Sequence, residues 1–164
     1  MIVTTPVRVS HTGRQVINGS PDGIFPLYCP VRELEWVPDW SPRFVTSASG
    51  VAEHECVFIT GEPDQEAIWV VTRHDPKNHG LEMIKVTPGV TVCRLEIHLE
   101  PLSEQRTRAV ITYTHTSLGP AGDDFVAGFT QDHYSEFMAN WARAMNHFLE
   151  TGRCLDRTAG GDDG

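Results

Sequence analysis

Tyr113 and His115 stand two residues apart in Arg106 to Ser117, a run that alternates like a β-strand. Two apart on a strand means one face, so a phenol and an imidazole share a side with Ala109 and Ile111. Val110, Thr112, Thr114 and Thr116 take the other side. The threonine side reads as the wet one, which turns Tyr113 and His115 inward; a one-residue bulge would reverse the assignment. An inward neutral imidazole could orient a ligand carbonyl or act as a general base; the competing reading is a solvated histidine at the strand's end. The Tyr113 hydroxyl could donate to a ligand oxygen or belong to a core aromatic with its hydroxyl satisfied. Arg73 falls on the Trp69 and Val71 side of its strand. If that side is inward, its guanidinium could pair with a ligand carboxylate. An unpaired buried guanidinium is costly, so a solvated rim position is the alternative.

Other chemistries find less support. There are eight histidines but no HExxH, and His74 and His79 flank a turn signal. His54-Glu55-Cys56 is contiguous, yet alternation would send neighbours to opposite faces. His133 and His147 fall on the last helix and are read as facing water. Neither a metal site nor a cofactor is expected. No nucleophile elbow, P-loop or dinucleotide fingerprint occurs, and Gly119-Pro120-Ala121-Gly122 lacks the spacing. The pairs Glu33/Glu35 and Glu53/Glu55 read as solvated charges.

The elements that must position these residues can be read from pattern. Ile2 to Val9 is rich in Val and Thr and reads as a strand, with Arg14 to Ile17 continuing it or starting another. Ser20-Pro21 is a helix start, kept short by Pro26 and Pro30. Phe25 to Trp40 holds three prolines and two tryptophans in its later part and reads as a stiff, packed connection. Six strands follow: Phe44 to Ser47, Cys56 to Thr60, Ala67 to His74, Leu81 to Thr87, Thr91 to Leu99 and Arg106 to Ser117. Short turns separate them, so neighbours are antiparallel. In Thr91 to Glu100, Cys93, Leu95, Ile97 and Leu99 share a dry face opposite Arg94, Glu96, His98 and Glu100. Asp123 or Asp124 could cap a short helix, and Thr130 a long one ending at Gly152. Tyr134, Phe137, Met138, Trp141, Met145, Phe148 and Leu149 form one apolar stripe on the long helix. The expected fold is α+β: a curved antiparallel sheet of six to seven strands gripping a long C-terminal helix. A twisted sheet curls away from a straight helix and tends to leave a cavity.

Bulk properties bound the function. A chain of 164 residues fits one domain, taken as residues 1–152 with a disordered tail from Arg153, most plainly Asp156 to Gly164. The net charge of −9 repels phosphate backbones, so no nucleic-acid partner is expected. Four scattered cysteines without a CxxC pair read as reduced thiols in a cytoplasmic protein. Neither a signal peptide nor a membrane span is read from the sequence.

Four segments resemble one superfamily: Phe25-Pro26-Leu27-Tyr28-Cys29-Pro30-Val31-Arg32-Glu33, Trp36-Val37-Pro38-Asp39-Trp40, Trp69-Val70-Val71-Thr72-Arg73 and Trp141 to Leu149. They look like the SRPBCC proteins, which include START-type lipid-binding, Bet v 1-like and polyketide cyclase-like members, and most closely like its unassigned bacterial members. The resemblance covers roughly Val7 to Gly152. It implies the helix-grip fold, and with it a ligand pocket walled by Phe58, Trp69, Val71, Ile97, Tyr113 and His115 on the sheet and by Phe137, Met138, Trp141 and Met145 on the helix. Arg73 joins if its side is inward. A filled core is the rival for the same residues. No catalytic motif is matched, so no catalytic residue is carried over.

Three functions follow. The chain could bind a hydrophobic or aromatic small molecule, lipid- or polyketide-like, without catalysis. It could be a cyclase-, aromatase- or dehydratase-like enzyme, with His115, Tyr113 and Arg73 converging on one pocket. It could instead be an interaction module with a filled core, pairing with another chain or a second copy of itself.

Overall fold

The computed structural model describes residues 1, 3–63 and 65–155, with Phe44 described through its backbone only. The tail expectation at Asp156 to Gly164 lies outside them. Seven strands form one antiparallel sheet: β1 (Arg8–Ile17), β2 (Phe44–Thr46), β3 (Val57–Thr60), β4 (Ala67–Asp75), β5 (Gly80–Thr87), β6 (Thr91–Ser103) and β7 (Arg106–Ser117). Their spatial order is β1-β7-β6-β5-β4-β3-β2. All but one pairing joins sequence neighbours, most of them through short turns; the exception brings β1 back beside β7. The long strands alternate as their sequences demand. In β7, Thr107, Ala109, Ile111, Tyr113 and His115 are buried while the intervening residues are half-buried or exposed. In β6, Thr91, Cys93, Leu95, Ile97 and Leu99 are buried.

Three α-helices accompany the sheet. The first, α1 (Pro21–Ile24), begins as expected: the Ser20 side chain accepts from the Gly23 amide, with Pro21 in the first turn. The second, α2 (Pro120–Gly128), starts earlier than an Asp123 or Asp124 cap would allow. Gly119 is its N-cap, without a side-chain bond, and Pro120 opens its first turn. At Gly122 an added Cβ would lie 2.0 Å from the Val90 carbonyl oxygen, so this helix can sit against the β5–β6 turn only with glycine there. The third, α3 (Gln131–Thr151), is capped by Thr130, whose hydroxyl accepts from the His133 amide, and ends at Gly152 in the left-handed conformation.

Helix α3 is fastened to β1. The Tyr134 hydroxyl donates to the Ile111 carbonyl at 2.5 Å and accepts from the Gly13 amide at 3.1 Å. Gln15 donates to the Met138 carbonyl at 2.6 Å, and the Asn146 amide group bonds Asn18 and Val16. Tyr134, Met138 and Met145 are buried in the core shared with Leu81, Ile97, Leu99 and Ile111.

The Phe25 to Trp40 connection is stiff and packed. Two 3-10 turns, Phe25–Leu27 and Arg32–Glu35, fold it under the far end of α3. The Trp36 indole N–H donates to the Leu27 carbonyl at 3.0 Å and Trp40 to the Pro30 carbonyl at 2.7 Å, so the buried and the half-buried indole both keep their polar atom satisfied. Trp36 meets Trp141 of α3 edge-on at 5.4 Å.

Two expectations about charged residues are corrected. A register shift between Val71 and Arg73 pairs Arg73 with Glu82, so alternation breaks: Thr72 and Arg73 are both exposed, and Arg73 leaves the inner face. Glu33, expected in solvent, is buried; its neighbour Leu34 is exposed instead.

Candidate functional site

One row of paired residues crosses the concave face: Phe58 pairs with Trp69, Trp69 with Lys85, Lys85 with Cys93, and Cys93 with His115. The next row runs Val71, Met83, Leu95, Tyr113 and His11. Side chains of paired residues lie on one face, so both rows point toward α3. There the helix presents Phe137 and Trp141, while the 3-10 turn and its continuation present Glu33, Val37 and Trp40. Between them lies a partly open pocket of about 370 Å3.

Aromatic rings dominate its walls. Phe58 and Trp69 stack at 5.3 Å with planes only 9° apart. Trp40 meets Phe58 edge-on at 6.2 Å, and Phe137 lies between Tyr113 (5.8 Å) and Trp141 (5.7 Å). The Trp69 indole is anchored by donating to the Thr60 hydroxyl at 2.9 Å. An outer depression of about 660 Å3 between the β3–β4 and β5–β6 turns shares Thr60, Lys85 and Phe125 with the cavity. Phe125 of α2, 41% exposed, borders both.

The ionisable groups in this mainly apolar site are few, and Glu33, Lys85 and His115 Nδ1 have no hydrogen-bond partner among the described residues. Glu33 is 6% exposed, and its carboxyl makes no hydrogen bond or ion pair among the described residues. Burial away from water disfavours its charged form and pushes it up to about 8. Near neutral pH this favours the protonated form. Lys85 is half-buried, its Nζ 5.1 Å from the Trp69 ring centre, with no acidic partner among the described residues. Burial pulls it below the ordinary lysine range. His115 is pushed down to about 4, first by burial and then by Lys85 and His11, so its imidazole is neutral. Its Nδ1 is buried without a partner, and so is the Tyr28 hydroxyl. Burial holds both Tyr28 and Tyr113 well above the ordinary phenol range, and the nearby Glu33 carboxyl contributes to each.

Of the residues expected at the site, Phe58, Trp69, Tyr113, His115, Phe137 and Trp141 line the cavity. Val71, Ile97, Met138 and Met145 are buried in the core but do not line it. Arg73 lies outside. Sequence reasoning missed Glu33 and Lys85 entirely. The signal for Lys85 was present: it pairs in register with Cys93, which was assigned to the dry face. Glu33 gave no such signal, because a 3-10 turn has neither strand nor helix periodicity. His133, exposed on α3, reaches the rim. Among the described residues no group of three or more His, Cys, Asp or Glu is placed to hold a metal ion, and no helix is long and apolar enough to cross a membrane.

No family model and no curated protein matches the chain. Solved structures do. Norcoclaurine synthase from Thalictrum flavum, in complex with a transition-state analogue, superposes with a TM-score of 0.66 at 14% identity over 92% of this chain and 99% of that one. The allergen Ara h 8.0201 gives 0.61 at 12% identity over 88% and 99%. DynU16, from the dynemicin biosynthetic locus, gives 0.54 at 16% identity, over 90% of this chain but 48% of its own length. Identities this low establish architecture alone. A seven-stranded antiparallel sheet curved around one long C-terminal helix, superposable on these proteins along nearly its whole length, is the Bet v 1-like helix-grip fold.

Proposed function

We infer that the protein binds a hydrophobic, planar aromatic small molecule, lipid- or polyketide-like, in the cavity between the sheet and α3. The observation that carries this reading is the cavity itself. Its 370 Å3 falls within the ordinary range of ligand sites, roughly 300–1,000 Å3, and its walls are mainly flat rings. A core meant only to be filled would be packed to crystal density, since voids forfeit dispersion contacts. A neighbour of the same fold, norcoclaurine synthase, has been solved in complex with dopamine and hydroxybenzaldehyde, which supports the choice of aromatic ligands. Four free cysteines fit a reducing compartment, so the cytoplasm is the proposed location.

The test is a titration with 2-ethylnaphthalene followed by tryptophan emission, since Trp40, Trp69 and Trp141 all face the cavity. Saturable quenching in the wild type, abolished in a folded Leu95→Trp variant that fills the space, is the expected result. Equal quenching in both proteins would refute the reading. Solvent extraction followed by mass spectrometry then identifies any resident molecule.

A cyclase-like enzyme is a second reading with its own observation. Tyr113 and His115 stack at 6.0 Å in the same cavity as Glu33 and Lys85, and titratable groups displaced from their usual ranges mark sites of proton transfer. The Arg73 part of that reading is withdrawn.

A further inference from the structure

The segment from Val31 to Trp36 is folded against the ordinary preference of its residues. Leu34 is 55% exposed while Glu33, beside it, is 6% exposed. Exchanging the two would bury an apolar side chain and hydrate a carboxylate, both favourable changes. The neighbouring charges do not explain the inversion. Arg32 and Glu35 are bound to each other through both guanidinium contacts, on the outside of the turn. Nothing described neutralises Glu33 or bonds to it, although it lines the cavity. Departures of this kind, where local preference is overruled without a compensating contact, concentrate at functional sites.

We propose that Glu33 is the recognition group of the cavity: an un-ionised carboxyl whose O–H donates to a carbonyl or quinone-type oxygen of a planar aromatic ligand. This rests on the cavity-binding reading above and names the ligand class within it. Aromatic hydrocarbons would fill the same space but leave the carboxyl unpaired. Aromatic ketones and quinones would satisfy it.

The charge state supports this choice over a cation site. With the carboxyl pushed up to about 8 by burial, the group at neutral pH is a donor rather than an anion. The titratable groups lining the cavity or packed beside it can each be told apart from it. Tyr28, from its own segment, and Tyr113, from β7, are held well above the ordinary phenol range. His115 of β7 has lost its proton by about 4, and Cys93 of β6 is pushed up to about 12. Lys85 of β5 and His133 of α3 complete the set, and Lys85→Met and His133→Gln variants separate their contributions.

Two probes on the same ring system test the proposal: 2-acetylnaphthalene, which carries the acceptor, and 2-ethylnaphthalene, the same carbon skeleton without the oxygen. At about pH 6 the ketone should bind the wild type roughly tenfold more tightly, the effect of one buried hydrogen bond made instead of missed. The advantage should fade between about pH 7 and pH 9 as the O–H is lost, and should do so in the Lys85→Met and His133→Gln variants too. Glu33→Gln, whose amide N–H still donates, should keep the preference at every pH. Glu33→Leu should abolish it while still binding 2-ethylnaphthalene. Equal affinities for the two probes in the wild type, or an advantage that survives Glu33→Leu, would overturn the proposal. So would tightest binding of 2-(2-naphthyl)ethylamine with release of a proton, which would mark a cation site. Failure of all three probes to bind would instead sink the cavity-binding reading beneath it. The wild-type pH profile keeps the proposal testable even if a variant fails to fold.

Discussion

The concavity of this sheet has two regions built on the same alternation and finished differently. In one, Leu81, Ile97, Leu99 and Ile111 are closed over by a helix fastened with hydrogen bonds to β1 and β7, and no polar side chain intrudes without a partner. In the other, Trp69, Lys85, Tyr113 and His115 face rings from α3 and the proline-rich connection across empty space. Here Glu33 and His115 Nδ1 go without partners among the described residues. The sealed region shows what this chain can do when stability alone decides. Under the proposed binding function, the unsatisfied groups and space in the open region are costs carried for a ligand, at the expense of stability.

The largest expected break in this comparison is electrostatic. Glu33 has a folded-state pKa of about 8 against an ordinary 4.5. Between those values the native state holds a proton that the unfolded chain has released, so stability falls as pH rises through this window. Relative to Glu33→Gln, the wild type should lose roughly 5 kcal/mol from about pH 4.5 to about pH 8, measured by urea unfolding at each pH. A constant difference would show that the carboxyl is not held neutral.

Next comes packing. Met145→Ala in the sealed region should cost about 3 kcal/mol, since it opens a new void. Phe137→Ala on the cavity wall should cost about 1 kcal/mol less, because that ring already faces space. Parallel thermal unfolding of the two variants checks the order, and equal losses would mean that the two regions are packed alike.

A smaller effect concerns His115. Its pKa lies below the ordinary histidine value, near 4, so its contribution to stability is present above about pH 6.5 and lost as pH falls toward 4. Its imidazole resonances should stay fixed from about pH 8 to pH 5 and move only near pH 4; a midpoint near 6.5 would place the ring in water.

Legibility in the sequence follows the same division. The sealed region could be read because its elements obey strict periods: two-residue alternation in β6 and β7, the apolar stripe of α3, and the Ser20, Thr130 and Gly152 boundaries. Six of the expected site residues reached the cavity for the same reason. Arg73 did not, because a bulge after Val71 leaves no mark in residue types. Lys85 was readable only after pairing register placed it opposite Cys93. Glu33 was unreadable: in a 3-10 turn between Cys29 and Trp36, the direction of a side chain is set by the packing of Trp36 and Trp40, which is tertiary. The residue that carries the most specific chemistry thus sat where periodicity has least to say.

The most direct measurement of the central claim, that the open region is a ligand cavity, is to add 2-ethylnaphthalene to isotopically labelled protein and map the NMR perturbations. Saturable shifts should appear at Trp40, Trp69, Leu95, Phe137 and Trp141, with Leu81, Ile97 and Met145 unmoved. Shifts spread evenly over both regions, or confined to the outer surface, would contradict it.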